Sequence, residues 1–277
     1  MDLKFSVAMC VYAGDRPEWF GAAVESILNQ TRRPDEIVLV VDGPVPDELN
    51  TVITGYESNE VFRVIRLKQN KGHGEARRIG LKCCTHELVA LMDADDISAS
   101  DRFERQLALF RTNPGLAVVG GQITEFLEHP DNLIGARSVL LTDAAIKEDL
   151  KTRCPMNQVT VMFRKSVIES VGGYIDWFCE EDYYLWIRLY LAEAEFANVS
   201  EYLVNVRVGE QMYQRRGGLK YFFSEAKLQK YMLDKKIISV ATCCVNICIR
   251  FVVQILLPNR LRSWVFRKFA RKAIKHE

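Results

Sequence analysis

The N-terminal part of the chain alternates short apolar runs with segments of helical periodicity. The apolar runs are residues 4–12, 36–43, 61–67 and 87–92, and helix patterns over 17–30 and 74–84 lie between them. Runs with almost no polar residue predict strands that are buried on both faces, which is typical of parallel sheets. The pattern therefore predicts an α/β fold with a mostly parallel central sheet and helices on both faces.

Polar or flexible residues follow each of the four predicted strands. Tyr12 ends the first strand, Asp42 ends the second, and the loop 68–77 follows the third. The fourth is followed by "DADD", which contains Asp93 and Asp95. Ligands of open α/β sheets bind beyond the carboxyl ends of the strands. We therefore expect these residues to outline one polar site along one edge of the sheet.

The Asp93-x-Asp95 spacing places two carboxylates close together on a turn. Mg²⁺ and Mn²⁺ take oxygen ligands, usually one or two carboxylates together with phosphate oxygens. Aspartate is also common in ordinary turns, so the short motif fits either interpretation by itself. The neighbouring polar strand ends favour a cation, with Asp96 as a cap for the following turn.

Composition limits the class of protein. The 277 residues carry a net charge of +1, which gives no general attraction to nucleic acid. None of the eight cysteines is spaced as C-x-x-C, so we expect reduced thiols in a cytosolic protein. The N-terminus has no basic leader and no small-residue cleavage site, and we interpret it as the first strand.

The following segments continue the same domain to about residue 235. The spacing predicts a helix over 100–111, strands over 116–128 and 158–166, and a helix over 180–194. Three acids, Glu180, Glu181 and Asp182, open the last of these helices. Acids at this position complement the helix dipole, but a carboxylate at the mouth of a site also suits a general base.

Several motifs together resemble family 2 glycosyltransferases, which have the GT-A (Rossmann-like) fold. The stretches "SVAMCVY", "PDEIVLVVDG", "NKGHGEARRIGL" and "LVALMDADDI" are similar to the nucleotide-sugar-binding half, here about residues 1–98. "TVMFRKSVIESVGGY" and "EEDYYLWIRL" resemble the acceptor half, residues 99–235. "VRVGEQMYQRRGG" is similar to a segment of the members that build bacterial capsular polysaccharides and exopolysaccharides.

The resemblance implies a donor site at the strand ends. Asp42 is expected to hydrogen-bond the nucleotide base, most often uracil, and Tyr12 to line the base or ribose pocket. The residues alone also fit a turn aspartate and an aromatic at the edge of the core. The resemblance further implies close backbone approach at Asn70 and Gly72, and diphosphate contact by Arg77.

Metal and acceptor roles follow from the same resemblance. Asp95 is the expected direct ligand of Mg²⁺ or Mn²⁺, with Asp93 as a second ligand or nearer the sugar. Asp182, or its neighbour Glu181, is the expected catalytic base. Further candidates for contact with the diphosphate or the acceptor are Arg215, Arg216 and Trp186. The alternative for the two arginines is a solvated basic loop, and the alternative for Trp186 is packing in the core. One departure is Gln158-Val159, where many relatives have His-Pro.

Residues 236–277 form a basic amphipathic tail. Seven Lys or Arg against one Glu lie in 258–277. Polar residues recur every three or four positions in 237–257. If this segment were a single transmembrane helix, Arg250 would be buried in the hydrocarbon of the bilayer. We therefore expect C-terminal amphipathic helices that lie in the membrane interface or pack on the body, and a cytoplasmic protein held peripherally at the inner face of the cell membrane.

The resemblance thus implies an inverting, metal-dependent glycosyltransferase for surface polysaccharide biosynthesis. It would move a sugar from a nucleoside diphosphate donor, UDP-linked, to a lipid-linked saccharide acceptor. One alternative is a catalytically degenerate membrane-bound scaffold. Another is a sugar-1-phosphate nucleotidyltransferase, which requires a Gly- and Arg-rich loop where this chain has "AGDRPEW".

Overall fold

The computed structural model describes residues 3–209, 217–258 and 261–262, and a nine-stranded sheet runs through the described chain. Its strands are β1 (Phe5–Val11), β2 (Glu36–Val41), β3 (Phe62–Arg66), β4 (Leu88–Met92), β5 (Ile97–Ser98), β6 (Leu116–Phe126), β7 (Leu133–Arg137), β8 (Met162–Arg164) and β9 (Glu195–Arg207). Their spatial order is β3-β2-β1-β4-β8-β6-β9-β5, and β7 pairs with β6.

Helices cover both faces of this sheet. They are α1 (Pro17–Leu28), α2 (Asp47–Glu57), α3 (His73–Cys83), α4 (Arg102–Thr112), α5 (Asp143–Asp149), α6 (Lys165–Ser170), α7 (Glu181–Leu191), α8 (Leu219–Asp234) and α9 (Val240–Phe251). One apolar cluster packs α1, α2 and α4 against the sheet, and a second packs α5, α6, α7 and α8. The predicted α/β fold with helices on both faces is confirmed.

The four strands predicted from apolar runs pair in parallel with one another, and β6 pairs in parallel with β9. β1 pairs in parallel with β2 and β4, and β2 pairs in parallel with β3. The register sets Val11 beside Val41, and Met9 beside Met92. Because all four strands run in the same direction, their carboxyl ends lie at the same edge of the sheet.

The strand predicted over 158–166 is mostly wrong. Gln158–Thr160 is a 3-10 turn, β8 is only three residues long, and α6 begins at Lys165. Asn157 donates its side-chain N–H to the Gly121 carbonyl at 2.8 Å, and the Thr160 hydroxyl donates to the Asn157 carbonyl at 2.7 Å. These side-chain bonds to backbone compete with a strand ladder and close the turn.

The last two helices lie against the body and against each other. Ile237, Ile238 and Cys243 are buried within the same cluster as α7. The expected C-terminal amphipathic helices are therefore present. Within the described ranges, no helix is both long enough and apolar enough to span a bilayer.

Trp186, a sequence candidate for an acceptor or diphosphate pocket, is fully buried in the core. We expect Trp186→Ala to lower the free energy of unfolding by about 3–5 kcal/mol, because it leaves a large cavity. Urea unfolding followed by circular dichroism measures this loss. Phe223→Ala, at an exposed aromatic, is the control and is expected to change stability by less than about 0.5 kcal/mol. A fully stable Trp186→Ala protein would contradict the core role.

Candidate functional site

The carboxyl ends of β1, β2 and β4 border a cavity of about 470 Å³. The parallel register brings these three ends side by side. Six of the residues singled out from the sequence line this cavity: Tyr12, Asp42, Asn70, Gly72, Asp93 and Asp95. The polar strand ends therefore converge on one concave site, as their positions in the chain indicate.

Asp42 fixes the loop after β3. Its Oδ1 accepts the Lys71 backbone N–H at 2.7 Å and its Oδ2 accepts the Gly72 N–H at 3.0 Å. Asn70 Oδ1 also accepts from Gly72, at 3.0 Å. Gly43 has a φ of +89°, and a Cβ there would lie 2.6 Å from the Asn70 nitrogen, so this close approach requires glycine. Asp42 and the loop thus form a single wall of the cavity.

Asp93 is held by a buried guanidinium. Arg77 Nη2 donates to Asp93 Oδ1 at 2.5 Å, and the Arg77 side chain is only 8% exposed. Burial works against both charges, but Arg77 holds the pKa of Asp93 below its usual value, and Asp93 holds the pKa of Arg77 above its own. Both groups stay ionised. Arg77, expected at the diphosphate, therefore has one of its N–H groups committed to Asp93.

The end of β9 secures the rest of the acidic turn. Asp96 Oδ1 accepts the Arg207 backbone N–H at 2.8 Å, and the Asp95 carbonyl accepts Arg207 Nε at 3.1 Å. Asp96 was expected to cap the following turn, but it is buried and bonded to β9 instead. Burial, followed by the charges of Asp95 and Asp93, raises the pKa of Asp96 well above its ordinary value.

Sequence reasoning missed Asp15, which lines the same cavity. Its Oδ2 accepts the Tyr12 backbone N–H at 2.9 Å, and its own N–H donates to the Tyr12 carbonyl at 3.1 Å. Burial raises the pKa of Asp15 to about 6, and the charges of Asp95 and Asp93 add to this shift. Its position just after β1, close to Tyr12, was the signal available in the sequence.

The acidic residues of the cavity suit a hard divalent cation. Asp93 and Asp95 provide oxygen donors on one turn, and Asp15 adds a third negative charge nearby. Among the described residues, no three His, Cys, Asp or Glu side chains surround a common point. Mg²⁺ commonly uses one or two carboxylates plus substrate phosphates rather than a full protein cage, so the donor set fits it.

The N-terminus of α7 presents the two candidate bases. Asp182 Oδ1 accepts the Tyr183 N–H at 2.6 Å, and its Oδ2 lies 3.7 Å from the Cys154 sulfur, which donates to it. Burial, and then the charge of Asp182, raises the pKa of Glu181. Glu181 also interacts with the charge of Arg77, the partner of Asp93. Arg77 therefore links the α7 terminus electrostatically to the acidic turn.

Four other residues singled out in the sequence have different outcomes. Arg215 and Arg216 lie outside the described residues. Trp186 lies in the core rather than at the cavity. Gln158, which stands where many relatives have histidine, donates its Nε2 to the Tyr174 hydroxyl at 3.4 Å.

The fold and the cavity at the strand ends define an α/β enzyme domain of the nucleotide-binding kind. Residues 6–172 match the model of the family described as "Glycosyl transferase family 2". The chain belongs to this family, and it is a glycosyltransferase.

Relatives and solved structures agree with this assignment. An uncharacterised glycosyltransferase of Haemophilus influenzae is 37% identical over 98% of this chain and 100% of its own length. The UDP-Gal:alpha-D-GlcNAc-diphosphoundecaprenol beta-1,3-galactosyltransferase of Escherichia coli is 34% identical over 97% of each chain. The structure of S. aureus TarS 1-349 in complex with UDP-GlcNAc is 17% identical with a TM-score of 0.62, covering 96% of this chain and 71% of that one, and it supports the GT-A fold.

We expect Asp42→Asn to loosen the loop that Asp42 holds. One carboxylate oxygen becomes an N–H donor, so one of the two accepted backbone N–H groups loses its partner. The free energy of unfolding should fall by about 1–3 kcal/mol, and the Lys71 and Gly72 amides should exchange hydrogen faster. Asp131→Asn, at a carboxylate that is 90% exposed, is the control. Unchanged exchange at both amides would contradict the bracing role of Asp42.

Proposed function

We propose that the protein is an inverting, metal-dependent glycosyltransferase that moves a sugar from a UDP-linked donor to a lipid-linked saccharide acceptor in surface polysaccharide biosynthesis. This proposal rests mainly on the cavity that Asp42, Asp93 and Asp95 line together. The Escherichia coli relative is named for a UDP-sugar donor and a diphosphoundecaprenol-linked acceptor, which supports the donor and acceptor classes. In this proposal residues 1–98 bind the donor and 99–235 the acceptor.

Donor binding rests on the two sides of the cavity. Asp42 already accepts two backbone amides, and its remaining lone pairs accept an N–H of the base, with Tyr12 at the rim. Asp95 and Asp93 would hold Mg²⁺ or Mn²⁺, which neutralises charge on the departing diphosphate when it is bound. Arg215 and Arg216 are proposed to contact the diphosphate or an acceptor phosphate, as charge-assisted donors.

Transfer requires a base at the acceptor side. The acceptor oxygen bonds to the anomeric carbon while the bond from that carbon to the diphosphate oxygen breaks, which inverts the configuration in one displacement. The acceptor proton passes to Asp182, or to Glu181. Burial and the charge of Asp182 raise the pKa of Glu181, which makes its carboxylate a stronger base, whereas the Cys154 thiol and the Tyr183 amide orient Asp182.

Nucleotide binding tests the donor half. Titration with UDP, GDP and TDP, each with and without Mn²⁺, should show UDP binding that Mn²⁺ strengthens. In Asp95→Asn the Mn²⁺ effect should be lost, because a metal ligand becomes a neutral amide. Asp101→Asn is the control, since Asp101 pairs with Arg105 outside the cavity. Absence of nucleotide binding under every condition would favour the degenerate scaffold.

Paired substitutions identify the base. With a lipid-linked acceptor, replacing the base should lower kcat about 10²–10⁴-fold at unchanged UDP affinity. We expect this loss for Asp182→Asn and a smaller one for Glu181→Gln. Glu169→Gln, at a carboxylate 49% exposed, is the control. A larger loss in Glu181→Gln would transfer the role to Glu181. Product containing a nucleotidyl group instead of a transferred sugar would favour the nucleotidyltransferase alternative.

A further inference from the structure

Helix α9 is amphipathic, and its polar side faces the protein. Asn246 and Gln254 are buried, and Arg250 forms an ion pair with Glu225 of α8 at 3.2 Å. Asn246 Nδ2 donates to Gln229 Oε1 of α8 at 2.8 Å, and Gln254 donates to Glu225. These bonds anchor the polar stripe on the body and fix the rotation of α9 about its axis.

The apolar side of α9 is consequently exposed. Val245 and Ile249 are each 56% exposed, and Val240 is 65% exposed. The π-helical turn that follows, Val252–Leu256, continues the same side, with Leu256 at 59%. A helix packed on a soluble body normally has the opposite arrangement, with its apolar stripe toward the core. An exposed apolar stripe of this length marks an interaction surface.

This surface continues across the first turn of α8 to the segment before α7. The Phe222 ring lies 5.7 Å from Phe251 of α9 and 5.5 Å from Phe223, which is 63% exposed. Lys220 Nζ lies 3.9 Å from the ring of Phe178, which is 41% exposed. We call the exposed apolar side chains of α9, of the first turn of α8 and of the segment 175–178 the outer apolar face.

The outer apolar face is joined to the acceptor side of the site. Trp177 Nε1 donates to the Ser224 carbonyl at 3.2 Å, and the Ser224 hydroxyl donates to the Phe178 carbonyl at 2.7 Å. The Tyr221 hydroxyl donates to Glu180 at 2.7 Å. Glu181 and Asp182 follow directly in the chain, so the candidate bases stand at the end of a segment fastened to α8.

We propose that the outer apolar face lies on an anionic lipid bilayer and turns the acceptor side of the site toward the membrane. An apolar helix face flanked by basic residues is the composition of an interfacial helix. The chain beyond Pro258 carries seven Lys or Arg and one Glu, and it begins beside this face, where Arg262 Nη2 donates to the Leu257 carbonyl at 3.2 Å.

Charge favours a bilayer over a second copy of the chain as the occupant. Two copies meeting through this face would bring their basic C-terminal segments together, and like charges repel. Anionic headgroups attract the same segments. Contact of the face with lipid stands independently of the sugar transfer, whereas delivery of a lipid-linked acceptor to Asp182 rests on the proposed function.

Flotation of the full chain with lipid vesicles tests the proposal. Vesicles of phosphatidylcholine and phosphatidylglycerol should carry the protein, and pure phosphatidylcholine vesicles should carry less. The double variant Val245→Ser with Ile249→Ser should reduce the partition coefficient about tenfold or more, because it removes apolar area from the contact. The matched control replaces Leu127 and Ile134, which are 46% and 44% exposed on another part of the surface, by serine. UDP affinity of the same samples separates membrane contact from donor binding.

Each outcome decides the proposal. A loss confined to the Val245/Ile249 variant, with normal circular dichroism and UDP affinity, supports the outer apolar face as the lipid contact. If the variant and the wild type bind vesicles equally, the proposal is overturned, and vesicle binding is assigned to the basic segment alone. An absence of flotation, with a dimer in sedimentation that the variant dissociates, overturns it in favour of a second copy.

Discussion

Guanidinium groups from three different elements hold the end of β4 and the acidic turn that follows it. Arg77 of α3 pairs with Asp93, and Arg207 of β9 donates to the Asp95 carbonyl. Arg102 of α4 lies fully buried behind the turn, where its Nη2 donates to the Leu91 carbonyl at 2.7 Å. Removing one partner of a buried charge pair lowers the free energy of unfolding far more than removing a whole exposed pair does. The end of β4 and the turn are therefore the point at which α3, α4 and β9 are held together.

This fastening leaves the cavity with surplus negative charge. Burial lowers the pKa of Arg102 to about 9, even though Asp93 and Asp96 favour its charged form. Burial, together with Asp93 and Asp95, raises the pKa of both Asp15 and Asp96. Buried carboxylates that resist ionisation in this way are stabilised by a cation that enters the site. The same arginines that fix the turn thus leave its charge incompletely balanced, which suits a metal that arrives with its substrate.

The sequence predicted the polar residues at the ends of β1, β2 and β4 better than the surroundings of the candidate bases on α7. Apolar runs mark β1, β2 and β4 because these strands are buried on both faces, whereas β3 is only partly buried. The polar residues at the strand ends then stand out. Asp15 lies four residues past the end of β1, in a turn that looks like an ordinary connection. The long strand β9 alternates exposed and buried residues irregularly as it pairs with both β6 and β5, so no single period marks it.

The polar stripe of α9 illustrates a different limit of sequence reasoning. Its three- to four-residue spacing predicts a two-sided helix, but it does not say which side meets the protein. In the fold, Asn246, Arg250 and Gln254 find partners on α8, because Gln229 and Glu225 present matching groups there. Those partners lie 17 to 29 residues earlier in the chain, and only the packing of α8 against α9 brings them together. Once the polar side is bonded inward, the geometry of the helix places Val245 and Ile249 outward. The exposed face is therefore a consequence of the buried polar contacts, and any partner of that face must be apolar where it touches α9.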